Sequence, residues 1–415
     1  MAFRENSPYL YDMLVVDKSL ESTSHTIEWL PWRTEWDDDR FTTEYFLMGT
    51  HNEGDEDEEV TNHIMIWSIN IPKLDKGVKF SSKDDKIIKN LSKLKIVKTI
   101  EHPQDVSKAR AMIGNTNIVS SFTNGGDINI YDFNELKHTL SLVEHSSYGF
   151  GLWWKPDNNN TSSNILVSSG TDSKIAVWDV NKLPNKRNQI TPLNTLTFHK
   201  DSVNCVNINP SNTEIFGSVS DDSMLAFWDM RDLTSPTQLI QASKDGLNAL
   251  CFWLHDNNTF LTGGQESGEI HLWDIRKLTE LTPLSSFIGH NMPVTNITFS
   301  PLNKNIFCSG SQIPDEPSEE NKSNYGVIIW DILKIGEETS YNADEECTLS
   351  PCLILSHDGH ESTVDDISWS PYDKNTLATV DGNKSANFFQ VSEELFMSPI
   401  HYENEFDDLQ DWVVE

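Results

Sequence analysis

The sequence predicts an all-β protein, a seven-bladed β-propeller with a short N-terminal α-helix and, as an alternative to a mobile tail, a short C-terminal helix. Three observations support this fold class. First, seven apolar runs end in an aromatic residue, in the order Trp67-Ser68, Tyr131-Asp132, Trp178-Asp179, Trp228-Asp229, Trp273-Asp274, Trp330-Asp331 and Phe389-Gln390. Second, these aromatic residues are 45 to 64 residues apart, which fits blades of about 40–45 residues with loop insertions at 73–90, 312–324 and 334–350. Third, histidines precede the first strand of several units, at His102, His145, His199, His290 and His360.

The most regular unit ends at Trp228-Asp229. Two apolar runs, 215–219 and 224–228, are separated by the turn residues Asp221, Asp222 and Ser223. Short apolar runs joined by an Asp/Ser turn are typical of an antiparallel hairpin. An alternating run at 203–208 precedes them and leads into Asn209-Pro210. The unit is therefore predicted to contain three consecutive strands closed by Trp-Asp.

The N-terminal segment precedes the repeats and is predicted to be helical. Pro8 suits the start of a helix, and the apolar residues that follow it at helical spacing are Tyr9, Leu10, Met13 and Leu14. Strand-like runs follow at 26–30, 45–50, 64–69 and 94–97, and the acidic run between Thr50 and His63 is predicted to be a solvated loop. We divide the chain into an N-terminal helix and lead-in (1–24), the propeller (25–392) and an acidic C-terminal extension (393–415).

Composition limits the classes of partner. The net charge is −33, from 31 basic and 64 acidic residues. This charge argues against direct binding to nucleic acid or to an anionic membrane, and it favours a basic protein partner. The five cysteines are odd in number and lack C-x-x-C spacing, so a reducing compartment is expected, without a disulfide framework or a zinc site. We expect no cofactor and no membrane span, and we expect the protein in the nucleus and cytoplasm.

The recurring histidines and Trp-Asp pairs resemble the WD-repeat β-propeller family. In such blades a His, a Ser, an Asp and the Trp indole are linked by hydrogen bonds. In this chain the resemblance implies two complete structural tetrads: His145, Ser168 or Ser169, Asp172 and Trp178; and His199, Ser218 or Ser220, Asp222 and Trp228. Other units are incomplete, with Gly125 in place of the Asp, Ser243 near the His position and Phe389 in place of the Trp. We expect packing to hold those units more than polar contacts.

The same residue types occur in hydrolytic triads, so catalysis has to be weighed. Here the set recurs from unit to unit together with a Trp, which catalysis does not require. The sequence also lacks a phosphate-binding Gly-Lys-Ser/Thr loop, an H-E-x-x-H motif and a G-x-S-x-G motif. The acidic run at 55–59 lacks the alternation and central glycine of a calcium loop. We therefore predict no catalytic residues and no metal site.

Three stretches narrow the resemblance to the retinoblastoma-binding, histone-binding WD-repeat family. The first comprises 5–14 (ENSPYLYDML), 26–32 (TIEWLPW) and 46–51 (FLMGTH). The second is the seventh unit, 356–380, and the third is the acidic, proline-containing insertion within 330–360. Members of this family serve type-B histone acetyltransferase, chromatin assembly, deacetylase and Polycomb complexes. The resemblance covers nearly the whole chain.

The resemblance implies a groove for the first helix of the fourth core histone. In the family, the N-terminal helix and the insertion in the sixth blade form this groove. Carried over position by position, one apolar wall comprises Tyr9, Leu10, Met13 and Leu14, and the opposite wall Leu353, Ile354 and Leu355. The acidic rim for histone Lys and Arg residues comprises Asp344, Glu345 and Glu346. Apolar anchors would supply affinity, and the acids would steer the basic helix.

A second family site, at the channel mouth, takes basic N-terminal tails such as that of the third core histone. The corresponding residues here are Asp105, Tyr148, Phe150, Asn204 and Asn248. Asn204, Pro293 and Thr295 stand where the family has two acids and an aromatic residue. We therefore expect this face to bind a different peptide, or none.

The predicted function is that of a noncatalytic histone-binding chaperone and scaffold. It would present a core histone helix to the catalytic partner of an acetyltransferase, deacetylase or chromatin-assembly complex. Its expected partners are the tetramer-forming core histones and the other subunits of that complex. The alternative is a WD-repeat adaptor in another assembly, such as a ubiquitin-ligase substrate receptor.

Overall fold

Seven β-sheets form the part of the chain that the computed structural model describes, residues 10–18, 20–36, 41–52, 61–73, 94–156, 162–266, 268–314, 326–337 and 350–397. The chain begins with β1 (Tyr11–Asp17), which belongs to the last sheet. The first sheet contains β2 (Ile27–Glu35), β3 (Phe41–Gly49), β4 (Asn62–Pro72) and β5 (Lys95–His102). The second contains β6 (Val106–Met112), β7 (Asn115–Thr123), β8 (Ile128–Asp132) and β9 (Lys137–Leu142). The third contains β10 (Gly151–Pro156), β11 (Ser162–Ser169), β12 (Ile175–Asp179) and, after β13 (Gln189–Ile190), β14 (Asn194–Leu196). The short strand β13 pairs in parallel with β9 and is the fifth strand of the second sheet.

The remaining four sheets follow the same plan. The fourth sheet contains β15 (Val203–Ile208), β16 (Ile215–Ser220), β17 (Met224–Asp229) and β18 (Gln238–Gln241), and the fifth contains β19 (Leu247–Phe252), β20 (Thr259–Gly264), β21 (Ile270–Asp274) and β22 (Ser285–Phe287). The sixth contains β23 (Val294–Phe299), β24 (Ile306–Ser311), β25 (Val327–Asp331) and β26 (Leu353–His357). The seventh contains β27 (Val364–Trp369), β28 (Thr376–Asp381) and β29 (Ser385–Val391) together with β1. Short 3-10 helices follow two of the Trp-Asp strands, at Ile275–Glu280 and Ile332–Lys334, and a short α-helix, α1, spans Glu394–Met397.

The sheets close into a ring, and this confirms the predicted seven-bladed propeller. The first strands of successive sheets contact one another in the order β2, β6, β10, β15, β19, β23 and β27, and β27 contacts β2 again. Apolar clusters fill the space between neighbouring sheets. One of them joins Val167 and Val177 of the third sheet to Val203, Phe216 and Trp228 of the fourth. Each blade therefore buries its faces against its two neighbours, as repeat architectures require.

The predicted N-terminal helix is wrong for Met13 and Leu14, because both lie in β1. This strand pairs antiparallel with β29, with Leu14 opposite Phe389 and Val16 opposite Asn387. The pairing supplies the outer strand of the seventh sheet from the beginning of the chain, so part of the predicted lead-in belongs to the ring. The rest of the predicted helix, residues 1–9, lies outside the described residues, as does the C-terminal extension from residue 398.

Buried hydrogen bonds link His, Ser, Asp and Trp within the third and fourth blades. His199 Nδ1 is 3.0 Å from Asp222 Oδ2 and Nε2 is 2.8 Å from Ser218 Oγ, to which the Trp228 indole donates at 3.0 Å. The third blade has the same arrangement among His145, Asp172, Ser168 and Trp178, with distances of 2.8 to 3.0 Å. The serine is thus Ser218 and not Ser220, and Ser168 and not Ser169. The Ser168 and Ser218 hydroxyls are fully buried, and each satisfies the hydrogen-bonding groups of a buried His and a buried Trp.

The seventh blade is held by more polar contacts than its missing Trp led us to expect. His360 lies 2.9 Å from Asp381 and 2.8 Å from Thr379, although Phe389 occupies the Trp position. Tyr11 Oη of β1 lies 2.8 Å from His357 Nδ1, and the His357 ring stacks on Phe389. Phe389 therefore packs against a histidine of the sixth blade, and Tyr11 connects the first described strand to the same group.

A pair of carboxyl groups lies between the first and seventh blades. Glu44 of β3 is fully buried and accepts a hydrogen bond from Ser370 Oγ at 3.0 Å. Burial, together with a hydrogen bond to the Asp373 carboxylate, raises the pKa of Glu44 to about 9. Glu44 is therefore protonated at neutral pH and donates to Asp373, because its own burial and the neighbouring Asp373 charge both disfavour its ionised form.

Removal of the Tyr11 hydroxyl should weaken ring closure. Tyr11→Phe removes the buried hydrogen bond between Tyr11 Oη and His357 Nδ1, and we expect the free energy of unfolding to fall by about 1–3 kcal/mol. Chemical denaturation would measure this loss. Tyr148→Phe, at a half-exposed tyrosine, is the control and should change little. Equal stability of the Tyr11→Phe and wild-type proteins would contradict a closing role for this contact.

The Glu44–Asp373 pair should make the protein less stable at alkaline pH. Since the folded-state pKa of Glu44 is raised, its stabilisation is complete below its ordinary pKa and declines as pH rises toward 9, by at most about 1.4 kcal/mol per pH unit. Glu44→Gln retains a hydrogen-bond donor at every pH, so the variant should lose less stability than wild type between about pH 6 and pH 9, a range that lies between the ordinary pKa of Glu and the raised pKa of Glu44. Denaturation midpoints at both pH values test this, with exposed Glu266→Gln as the control. Parallel pH profiles for wild type and Glu44→Gln would refute the shared proton.

Candidate functional site

The outer edge where the sixth and seventh blades meet holds the described part of the predicted groove. Here β26, β1 and α1 come together over a core cluster that includes Tyr11, Ile354 and Leu355. Four partly buried side chains pack against this cluster: Leu10, Leu14, Leu395 and Phe396. The backbone NH of Ser392 donates to Leu10 O at 3.1 Å. The edge is thus an apolar surface built from both ends of the described chain.

The predicted groove residues have different environments. Ile354 and Leu355 are 4% and 3% exposed, so they form the floor beneath the edge and not an open wall. A β-bulge causes this, because Leu355 pairs with Ile329 and Leu353 with Trp330, which leaves Ile354 as the additional residue. Leu353 is partly buried against the cluster between the fifth and sixth blades.

Only part of the predicted N-terminal wall faces this edge. Met13 is 8% exposed and packs in the cluster between the seventh and first blades, away from Leu10 and Leu14. The strand period of two explains the difference, since successive side chains of β1 point to opposite faces. Tyr9 and the predicted acidic rim, Asp344, Glu345 and Glu346, lie outside the described residues.

Acidic residues that the sequence reasoning missed flank the apolar edge. Asp12 is exposed on β1, and Glu393 and Glu394 stand beside it at the start of α1. Burial raises the pKa of Asp12, a hydrogen bond with Ser392 opposes this, and the charges of Glu393 and Glu394 raise it further. Three like charges close together favour a cationic partner, which would relieve their repulsion. The Glu-Glu pair is visible in the sequence, but the pairing of β1 with β29 is needed to place Asp12 next to it.

The predicted channel-face residues are brought together in two groups. Asn204 Nδ2 lies 3.2 Å from Asn248 Oδ1 and donates to Asp221 at 2.6 Å. Tyr148 and Phe150 are about two-fifths exposed and their rings meet edge to face at 5.5 Å. Phe150, Asn204 and Asn248 line a central cavity of about 580 Å³.

Asp105 has a different environment from the other four channel-face residues. Its carboxylate accepts the backbone NH of Asn52 at 2.9 Å and the amide of Asn124 at 3.4 Å. It thus joins the end of β3 to the turn after β7 and already has partners for both oxygens. Pro293 and Thr295 also differ from the residues found in the family at these positions. Thr295 donates to Val364 O at 2.6 Å, and Pro293 O accepts from Gln312 N.

A buried ion cluster inside the channel was not predicted. Asp366 of β27 is 1% exposed and accepts from Lys108 Nζ at 2.8 Å and from both terminal nitrogens of Arg110 at 2.9 and 3.0 Å. It also accepts the backbone NH of Ile27 at 2.9 Å. Burial alone would raise the pKa of Asp366, but the Arg110 and Lys108 charges outweigh it and hold the pKa at about 2. One carboxylate thus joins the seventh, first and second blades.

Glu28 stands beside this cluster. Its Oε2 accepts the backbone NH of Ala111 at 2.6 Å. Burial raises the pKa of Glu28 to about 7, and the Arg110 charge opposes the rise. Lys108, Arg110 and Glu28 all line the central cavity, but both cations already bond to the Asp366 carboxylate. The cluster therefore serves the ring and does not present a free cation to a ligand.

Other classes of site find little support in the described ranges. In that part of the chain no three His, Cys, Asp or Glu residues are grouped so as to hold a metal ion. The cysteines it contains, at 205, 251, 308 and 352, are free thiols. None of the helices found there has the length and apolar character needed to cross a membrane.

Loss of the Asp366 charge should be strongly destabilising. Asp366→Asn leaves two buried cations without their counter-charge, and we expect the free energy of unfolding to fall by about 3–5 kcal/mol. Because the folded-state pKa is depressed, the stabilisation is complete above the ordinary Asp pKa and is lost as pH falls toward 2. Urea denaturation at neutral pH and in acid measures both effects.

The matched control for Asp366→Asn is Asp229→Asn. Asp229 forms its ion pair with Arg231, whose side chain is 70% exposed, so solvent screens the interaction. The Asp229→Asn protein should unfold close to wild type. If the two variants unfold alike, the buried cluster does not hold the ring together.

Comparison with known proteins agrees with this architecture. Residues 1–73 match the family of the histone-binding protein RBBP4, which is also described as a component of the CAF1 complex. Residues 190–229 and 281–313 match the WD domain, G-beta repeat. These ranges include the edge strand β1 and the fourth-blade hydrogen bonds described above.

Three fungal relatives share most of their length with this chain, and each is named histone acetyltransferase type B subunit 2. The protein of Candida glabrata is 32% identical over 89% of this chain and 82% of its own length. That of Eremothecium gossypii is 30% identical over 95% of this chain and 85% of its own, and that of Debaryomyces hansenii 28% over 95% and 90%. Likeness at this level over nearly the whole chain shows that this protein belongs to the retinoblastoma-binding, histone-binding family of WD-repeat proteins.

Proposed function

We propose that this protein is a noncatalytic histone-binding subunit of a chromatin-modifying or chromatin-assembly complex. It holds a helix of the fourth core histone against the edge where the sixth and seventh blades meet, and it presents the histone to a catalytic partner. The names of the relatives favour a type-B histone acetyltransferase as that complex. With such partners, the protein would work in the nucleus and in the cytoplasm.

The observation that carries the proposal is the apolar edge with its acidic border. Leu10 and Leu14 are apolar side chains that pack against the cluster between the sixth and seventh blades and are only partly buried there, and Leu395 and Phe396 continue the surface. Asp12, Glu393 and Glu394 stand on the same edge. A basic amphipathic helix needs both features, since its apolar face supplies affinity and its charges orient it. Histone helices have this character, and the net charge of −33 adds long-range attraction.

The edge can be tested with Leu10→Asp. A carboxylate at this partly buried position places charge in the apolar contact, and we expect the affinity for purified core histone tetramers to fall at least about tenfold. Calorimetry or a pull-down with the purified full chain would measure it. Ile354→Asp is less informative because Ile354 is buried, and a loss of binding would then be confounded by a loss of folding.

Leu239→Asp is the matched control. Leu239 is 40% exposed on the outer strand of the fourth blade, so it has a comparable place on another edge of the ring. This variant should bind histones as wild type does. Full binding by Leu10→Asp would contradict the proposed edge. Failure of the wild-type protein itself to bind histones would favour an adaptor role in another complex.

The acidic border can be tested separately from the apolar contact. The double variant Asp12→Asn/Glu394→Gln removes two charges and keeps the shape of the side chains, so it should weaken association mainly at low salt. We expect the histone affinity of wild type to fall more steeply with salt than that of the variant. Identical salt dependence would show that these acids do not face the histone.

A further inference from the structure

The connection between β12 and β14 is longer than the blade requires. It runs from 180 to 193, whereas four residues connect β8 to β9 at the same place in the second blade. Loops of this length inside a compact fold are uncommon and usually functional. We call residues 181–190 the clasp loop, because its last two residues form β13 and pair with β9 of the neighbouring blade.

Several contacts fix the conformation of the clasp loop. Asn185 Oδ1 accepts the backbone NH groups of Arg187 at 2.7 Å and Gln189 at 3.1 Å. Asn188 has a positive φ of 56°, and its carbonyl accepts from Ser141 N of β9 at 2.9 Å. Ile190 is 3% exposed in the core between the second and third blades. These contacts hold the loop in one defined conformation.

The charge of the clasp loop is opposite to that of the rest of the protein. Lys182, Lys186 and Arg187 are exposed, and the sequence contains no Asp or Glu from 181 to 193. Lys182 Nζ lies 3.2 Å from Thr191 O. Within the described ranges, neither Lys186 nor Arg187 forms an ion pair, whereas other exposed basic residues such as Arg231 and Arg276 do. A basic segment without Asp or Glu of its own is thus presented by a chain of net charge −33.

An apolar side chain projects from the same surface. Leu183 is 91% exposed, the largest value among the exposed large apolar residues of the described chain, and Pro184 next to it is exposed as well. A solvated basic loop has no need of a fully exposed leucine. A leucine between cations instead matches a partner that carries both acids and an apolar contact.

We propose that the clasp loop binds an acidic segment of a partner protein, with Lys186 and Arg187 pairing its carboxylates and Leu183 packing on an apolar residue between them. A polyphosphate chain fits this surface less well, because it offers no apolar group for the exposed Leu183 side chain. The loop spans the second and third blades, on the far side of the ring from the sixth–seventh edge. Both surfaces can therefore be occupied at once.

A fluorescent acidic peptide tests the proposal directly. The probe is a peptide of about 14 residues, rich in Glu and Asp with two central Leu residues, titrated against the full-length protein at about 50 mM salt and followed by anisotropy. We expect Lys186→Glu/Arg187→Glu to weaken binding at least about tenfold, and Leu183→Ser to weaken it several-fold. The double variant Lys200→Glu/Lys244→Glu, which has the same change in net charge at exposed lysines elsewhere, should bind within about twofold of wild type.

Three outcomes would overturn the proposal. One is no binding of the peptide to wild type. The second is an equal loss in the two double variants, which would show an effect of net charge alone. The third is tighter binding of a DNA duplex of about 20 base pairs, lost in Lys186→Glu/Arg187→Glu, which would make the loop a nucleic-acid site. Histone binding by all three variants provides a check on folding that is independent of the result.

Discussion

The Asp366 carboxylate is the interaction on which the ring most depends. A propeller has to join its last blade to its first, and in this chain the segment from β1 to β2 connects the two blades. Here one buried carboxylate on β27 binds the first backbone NH of β2 and two cations of β6. The desolvation of these charges is costly, so the cluster is favourable only when all three blades are in place. The cluster therefore links correct placement of the seventh, first and second blades to one another.

Pairing of β1 with the last sheet also explains the position of the acidic border. Between ordinary blades, strand pairing and apolar packing leave few polar side chains free. At the closure, β1 adds a strand from the other end of the chain, and Asp12 comes to stand beside Glu393 and Glu394. The acidic border is thus a product of ring closure. The basic clasp loop arises differently, from extra residues that leave one blade and pair with its neighbour. The two surfaces have opposite charge and separate structural origins.

The sequence predicted the features that depend on local patterns. The Trp-Asp endings, the hairpin at 215–229 and the His, Ser, Asp and Trp sets were all visible because each lies within one unit. The helix prediction failed at Met13 and Leu14, since apolar residues in this segment fit a strand as well as a helix, and only pairing with β29 decides between the two. Nor does any sequence pattern connect Asp366 with Arg110, 256 residues away. Contacts of that kind are set by the curvature of the whole ring.

The pairing of β1 with β29 has a consequence for how the chain is made. Of the described strands, the first in chain order pairs with the last, since residues 11–17 meet 386–391. Until β29 has been made, β1 lacks its partner strand, and an unpaired strand edge can pair with another chain. The ring therefore cannot close until β29 has been synthesised. A chain that stopped before Ser385 would keep six of the seven aromatic endings and still lack the strand with which β1 pairs.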